Sequence, residues 1–149
     1  MVSAAEPILL TGRVIKAGRA SGTALVSPEP IGFYGHVDPE TGLIREKGHP
    51  LEGECVTGRV LCFPTGKGST VGSYTLYRMN KAGTAPAAIL NEQSEAIIAV
   101  GAIIGDIPML DQIDLSRIAT GDWIVVADEQ VEVRAGGQHK DQHFVTADW

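Results

Sequence analysis

The sequence is short of several things, and each shortage closes off a class of function. Basic residues are outnumbered: twelve Lys and Arg stand against eighteen Asp and Glu, for a formal charge of −6. Surfaces that grip nucleic acid or anionic membrane need a concentrated basic footprint, so neither is expected as a partner. No apolar run approaches the roughly 18 to 20 residues that span a bilayer. The opening Met1-Val2-Ser3-Ala4-Ala5-Glu6-Pro7 lacks a basic stretch followed by an apolar one, so no secretory signal is expected and the chain reads as cytoplasmic. Cysteine is nearly absent. Cys55 and Cys62 lie seven apart, which on one continuous strand puts them on opposite faces, so two reduced structural thiols are expected ahead of a disulfide or a metal pair. An iron–sulfur or zinc-thiolate site built from this chain alone would be short of ligands.

What is present is ordinary globular chemistry. The 149 residues are 44% hydrophobic and 20% charged, enough for one core and too few for two. With no internal repeat and no linker, residues 1–149 read as a single domain, its core at about 12–134 and a polar Gly-containing tail over 135–149. Residues 12–16 and 22–27 are alternating segments that suggest a hairpin joined across Ala17-Gly18-Arg19-Ala20-Ser21. From Pro28 to Glu54 the chain is irregular and rich in Gly and Pro, a length that in a small domain is usually functional. Strand character returns at Gly58–Phe63. Then Ser73–Lys81 reads as a helix stopped by Gly83, Ala87–Leu90 as a buried strand, and Ser94–Ile104 as a mostly buried helix capped by Ser94. Ile107–Leu110 is a brief strand and Leu115–Ala119 a single helical turn. Trp123–Val126 and Gln130–Arg134 form a closing hairpin across Ala127-Asp128-Glu129. Alternating strands and helices flanked by antiparallel pairs imply an α/β fold with three-layer β/β/α packing.

One segment stands out for chemistry. Phe63-Pro64-Thr65-Gly66-Lys67-Gly68-Ser69-Thr70-Val71-Gly72-Ser73 runs from a strand into a helix, where unpaired backbone N–H groups favour an anion. It is not a Walker A loop: Leu61 stands where the first Gly belongs, and Gly68 follows Lys67. It is not a dinucleotide fingerprint either, because Gly66, Gly68 and Gly72 are spaced one residue too long. Two readings stay open. Ser69, Thr70 or Ser73 is a helix N-cap and the glycines shape a turn; or Ser69 presents its hydroxyl to a substrate, made more acidic by the helix terminus and Lys67. No His-Asp relay accompanies it, since His36, His49, His139 and His143 lack a nucleophile-elbow context.

A resemblance spans nearly the whole chain. Gly22-Thr23-Ala24-Leu25-Val26, Val37-Asp38-Pro39-Glu40-Thr41-Gly42, Gly58-Arg59-Val60-Leu61, Gly66 through Tyr74, Ala85-Pro86-Ala87-Ala88-Ile89 and Val100-Gly101-Ala102-Ile103 follow one another in register. Together they resemble the small swivelling subunit of the aconitase X family. The resemblance implies a swivelling β/β/α domain, like the C-terminal domain of aconitase, which pairs with a large subunit as a heterodimeric hydro-lyase. It implies iron or an iron–sulfur cluster held by that large subunit, and no metal bound by this chain. The implied substrate is a small 3-hydroxy acid, either 5-phosphomevalonate or cis-3-hydroxy-L-proline. The run Thr70-Val71-Gly72-Ser73 is more similar to the phosphomevalonate type.

Carried over residue by residue, Ser69 matches the family's proton-abstracting serine, and Gly66, Lys67, Gly68 and Thr70 match positions that bind substrate. One departure is plain. The family pattern has two glycines before Val-Asp-Pro, whereas here Gly35 is followed by His36, which either alters substrate fit or is an exposed loop residue. His139 and His143 fall beyond the resemblance, where a solvated tail is expected ahead of a metal site. The apolar side chains of Pro28–Gly53 either pack on the large subunit, with Phe33 and Tyr34 as anchors, or cover this domain's own sheet. A non-catalytic anion-binding or regulatory module on the same fold is the alternative to a dehydratase.

Overall fold

A computed structural model describes residues 6–136. Strands β1 (Ile8–Thr11), β2 (Arg13–Lys16) and β3 (Arg19–Val26) open the chain, and β4 (Val60–Phe63) follows the long irregular excursion. Helix α1 (Gly72–Ala82), β5 (Ala88–Asn91), α2 (Ala96–Ile104) and β6 (Met109–Asp111) come next. A 3-10 turn at Leu115–Arg117 then leads to β7 (Trp123–Ala127) and β8 (Gln130–Arg134). The eight strands form one mixed sheet in the order β1-β8-β7-β3-β4-β5-β6-β2.

The centre of the sheet, β3-β4-β5-β6, is parallel, because α1 and α2 each carry the chain back over the same face. Parallel strands covered on both sides need no polar face, and Val-Leu-Cys-Phe of β4 and Ala-Ile-Leu-Asn of β5 are buried throughout. Their alternation splits the interior into two clusters. Leu61, Phe63 and Ile89 point toward Leu76, Met79 and Ile98 of the helices. Val60, Cys62, Ala88 and Leu90 point the other way, toward Leu110, Ile124, Val126, Val131 and Val133. The second cluster lies inside the curl of the sheet and the first beneath the helices, which is the expected β/β/α layering. Both thiols are free, and burial pushes the Cys62 thiol far up.

The expected hairpin over residues 12–27 does not form. β2 pairs with β6 and β3 with β4 and β7, so the two segments never meet. Instead β1 and β2 are one run interrupted only at Gly12, and its halves belong to opposite ends of the strand order. That run closes the sheet into a near-barrel. At the crossover a Cβ on Gly12 would stand 2.5 Å from the main-chain oxygen of Asp111, so the backbones approach only because glycine is there.

Two smaller expectations also change. The cap of α2 is Glu95, whose carboxylate accepts from the N–H groups of Ile97 and Ile98, while Ser94 N–H donates to Asp111. Nor is α2 mostly buried. Ile98, Gly101 and Ala102 face inward, but Val100, Ile103 and Ile104 remain exposed.

The closing seam is held by a buried carboxylate. Arg13 Nε and Nη2 donate to Asp111 Oδ1 and Oδ2 at 2.9 and 2.7 Å, with Ser94 N–H adding a bond at 3.1 Å. Above all the Arg13 hydrogen bonds, together with those from Ser94, push the Asp111 carboxyl down to about 2. Its folded value lies below its unfolded one, so the stabilisation is complete above the ordinary carboxylate range and is lost as pH falls toward 2. The contribution is about 2 kcal/mol. In urea titrations the stability gap between the native chain and Asp111→Asn is expected to narrow by about that amount from neutral pH toward pH 2. A gap that stays constant over that span removes the linkage.

Candidate functional site

The Gly-rich loop leaves β4 at Phe63 and is clamped from two sides. On one side the excursion lies along it: Ile31 pairs with Gly66, Ile31 N–H donates to Thr65 O at 3.3 Å, and Lys67 N–H to Ile31 O at 3.2 Å. On the other side is the start of α2, where a Cβ on Gly66 would run into Ile98 and meet Glu95 Oε1 at 2.9 Å. Gly68 then takes φ of +105°, a conformation side chains avoid, and turns the chain outward. Ser69 and Thr70 follow, both exposed, on a turn closed by Gly72 N–H donating to Ser69 O at 2.9 Å.

Ser69 is not the N-cap of α1, and neither is Thr70 or Ser73. Val71 holds that position with no side-chain cap, and Ser73 Oγ donates to Thr70 O. Ser69 Oγ accepts from Val71 N–H at 3.1 Å, one residue ahead of the helix. A main-chain donor on the oxygen and a helix N-terminus just behind it both favour the deprotonated hydroxyl.

Lys67, Gly66, Gly68, Ser69 and Thr70 are therefore together, as consecutive residues of one rigid turn. The Lys67 ammonium is already engaged. It donates to Glu46 Oε2 at 2.7 Å, and the other Glu46 oxygen lies 3.8 Å from His36 Nδ1. The Lys67 hydrogen bond holds the Glu46 carboxyl below its usual range, with the charges of Lys67, His36 and His49 adding and burial opposing. Glu46 was invisible in the sequence: it lies 21 residues from Lys67 in an irregular stretch, with no spacing to mark it. His36, the departure from the family pattern, is half-buried at this carboxylate. His49 is buried and scaffolds the excursion. Its Nδ1 accepts from Leu51 N–H at 3.0 Å, so Nε2 carries the proton toward Pro30 O at 3.1 Å.

The excursion mostly covers its own domain. Phe33, expected as a partner anchor, is 1% exposed and packs at 6.4 Å, ring to ring, on Phe63 of β4. Ile31, Val37, Ile44 and Leu51 join the same cluster. Tyr34 differs: it is 54% exposed and stands beside Gly72, with Val71 and Tyr74 also exposed nearby on the helix entry. Among the described residues no three His, Cys, Asp or Glu side chains gather where they would hold a metal ion. His139 and His143 lie outside the described residues. No helix among the described residues is long and apolar enough to cross a membrane.

Comparison with known proteins extends this picture. A family profile described as the aconitase X swivel domain matches residues 9–135. The phosphomevalonate dehydratase small subunit of Methanosarcina acetivorans is 53% identical over 110 residues, covering 74% of this chain and 76% of that protein. The protein of the same name from Pyrococcus furiosus is 49% identical over 124 residues, covering 83% and 92%. Among solved structures, the holo-form crystal structure of Thermococcus kodakaraensis aconitase X superposes with a TM-score of 0.83 at 44% identity. It covers 86% of this chain and 99% of that one.

Proposed function

Because this chain belongs to the aconitase X swivel-domain family, we propose that it is the small subunit of a two-subunit dehydratase acting on phosphomevalonate. The observation that carries this reading is the level of identity, about half of all positions over most of both chains, with small subunits that bear that name. The enzyme is a hydro-lyase and works with a large subunit.

In the proposed reaction Ser69 is the base. Its Oγ takes the proton from the carbon beside the substrate carboxylate, the electron pair of that C–H bond forms a carbon–carbon double bond, and the C–O bond breaks with its pair on the 3-hydroxyl oxygen, which takes up a proton and departs as water. The Val71 N–H on Oγ and the entry of α1 make the oxygen a better anion. Gly66 and Gly68 let the main chain approach the substrate, and Thr70 stands beside it. The Lys67–Glu46 pair fixes the turn from below, so Lys67 serves orientation at least as much as charge. Among the described residues no donor set fits a metal centre, and we assign iron or an iron–sulfur group to the large subunit, where it would act as Lewis acid toward the leaving hydroxyl.

A turn that faces water shields proton abstraction poorly, which is why a second subunit is needed over it. Tyr34, Val71 and Tyr74 ring the turn with exposed apolar surface, and we assign that rim to the large subunit. Co-expression of the two subunits tests the whole reading. Water loss from 5-phosphomevalonate is expected, with hydrogen exchange slowed at residues 34 and 71–74 on pairing. Product from cis-3-hydroxy-L-proline alone overturns the substrate, no product from either overturns the dehydratase, and unchanged exchange overturns the rim.

A further inference from the structure

The Lys67–Glu46 pair is one side of a closed ring of hydrogen bonds that joins the Gly-rich turn to the excursion. Lys67 Nζ donates to Glu46 Oε2 at 2.7 Å, and Glu46 O accepts from His49 N–H at 3.2 Å. His49 Nε2 reaches Pro30 O at 3.1 Å. The next residue, Ile31, gives its N–H to Thr65 O at 3.3 Å. Its own carbonyl takes the Lys67 N–H at 3.2 Å, which brings the path back to Lys67.

The ring has little slack. A Cβ on Gly32 would stand 2.6 Å from Lys67 O and 3.3 Å from His36 Cδ2, so the main chain of the excursion lies directly on that of the turn. Ile31 is buried, and its bridge to Gly66 sets the register of the contact.

His49 is the member with two separable duties. It is buried, and both ring nitrogens are engaged, Nδ1 accepting from Leu51 N–H and Nε2 donating to Pro30 O. The Leu51 bond closes a turn within the excursion, a task that a short Asn or Asp side chain performs in any Asx turn. Only the Pro30 bond ties that turn to the segment on which Thr65 and Lys67 rest. An imidazole buried for the local turn alone would have no use for it.

We infer that His49 is a positioning residue for the Ser69 turn, acting through Pro30, Ile31 and Lys67, with Glu46 as the arm that closes the ring. The inference rests on the reading of Ser69 as base and adds what holds that base in place. Ser69 follows Lys67 across Gly68, whose φ of +105° leaves a link without a side chain to steady it. The Ser69 hydroxyl therefore keeps its aim only as well as Lys67 is held. A misplacement of about 1 Å at a reacting group can cost about 100-fold in rate.

Two amide side chains separate the duties of His49. In His49→Gln the terminal N–H stands near the place of Nε2 and can meet Pro30 O; in His49→Asn the carbonyl oxygen stands near the place of Nδ1 and still takes the Leu51 N–H. In the reconstituted pair, His49→Asn is expected to lower kcat for 5-phosphomevalonate by about 10- to 100-fold. Amide exchange at residues 31 and 67 should quicken by about tenfold. His49→Gln should keep both within about threefold of native. Glu46→Ala should behave like His49→Asn, and Glu46→Gln, which keeps an acceptor for Lys67, like the native chain. Equal losses in His49→Gln and His49→Asn, or native kcat and exchange in His49→Asn, overturn the inference and leave the dehydratase reading intact. A native pair that does not turn over 5-phosphomevalonate overturns that reading instead, and exchange alone then decides the ring. Faster exchange at residues 31 and 67 in His49→Asn but not in His49→Gln supports it, and exchange alike in the two variants overturns it.

Discussion

Replacing Ser69 by alanine in the paired enzyme is expected to lower kcat by about 10² to 10⁴, the range that a positioned proton-transfer group supplies. The structure says why little else should change. The side chain is exposed, packs against nothing in the core, and makes one hydrogen bond, accepting from Val71 N–H at the turn. Losing that bond costs about 1 kcal/mol at most, because the freed N–H can turn to water. The turn itself survives on main-chain contacts, Gly72 N–H to Ser69 O and Lys67 N–H to Ile31 O. Assembly and thermal stability should therefore match the native pair, and KM should stay within a few-fold, since the main chain of the loop is left unchanged. The measurement is single-turnover kinetics beside a sedimentation profile. Most of the turnover retained would remove Ser69 from the role of base.

The largest expected effect on stability comes from Gly12→Val. The crossover leaves no room for a side chain: the first added carbon would stand 2.5 Å from both Asp111 O and Ile113 Cδ1. The Ile113 side chain can rotate, but the Asp111 oxygen is main chain on β6, held in register opposite Arg13. Relief therefore means parting β2 from β6, which also strains the Arg13–Asp111 fork. We expect a cost of about 3 kcal/mol or more, at the top of the range for overpacked sites, and a fall in Tm of about 10 °C or more. Thermal melts with native chain and Gly12→Ala as companions settle it. A melt within two or three degrees of native would mean that the seam is looser than it looks.

The local signals in the sequence were sound where one element's own residues decide its form. β4 lies within the strand read over Gly58–Phe63, and α1 stops at Gly83 in the left-handed conformation that glycine favours. Alternation, however, tells which side chains share a face and not which strand lies alongside. Residues 12–27 have the pattern of a hairpin, yet their partners come from residues 60–127. The same limit hid Glu46, because nothing local marks a carboxylate that meets its lysine across a fold. Glu95 displaced Ser94 as the cap of α2 for a related reason: Ser94 N–H is drawn to the buried Asp111, a tertiary pull that a local rule cannot register. The Phe33 and Tyr34 pair shows how fine the distinction is. Adjacent aromatic residues of one loop end on opposite sides of it, Phe33 in the core and Tyr34 in solvent.

The crossover at Gly12 also sets an order in time. β1 is made first, but its ladder runs against β8, Ile8 facing Val133, and β2 must find a carboxylate 98 residues downstream. A chain emerging from the ribosome can assemble β3, β4, α1, β5 and α2 while its first strands have nothing to pair with. Contacts between distant residues are slow to form, because the entropy of closing so long a loop is lost before any bond repays it. β1, which precedes the other strands in the chain, is thus the last to be locked, and until then it offers open strand edges to other chains.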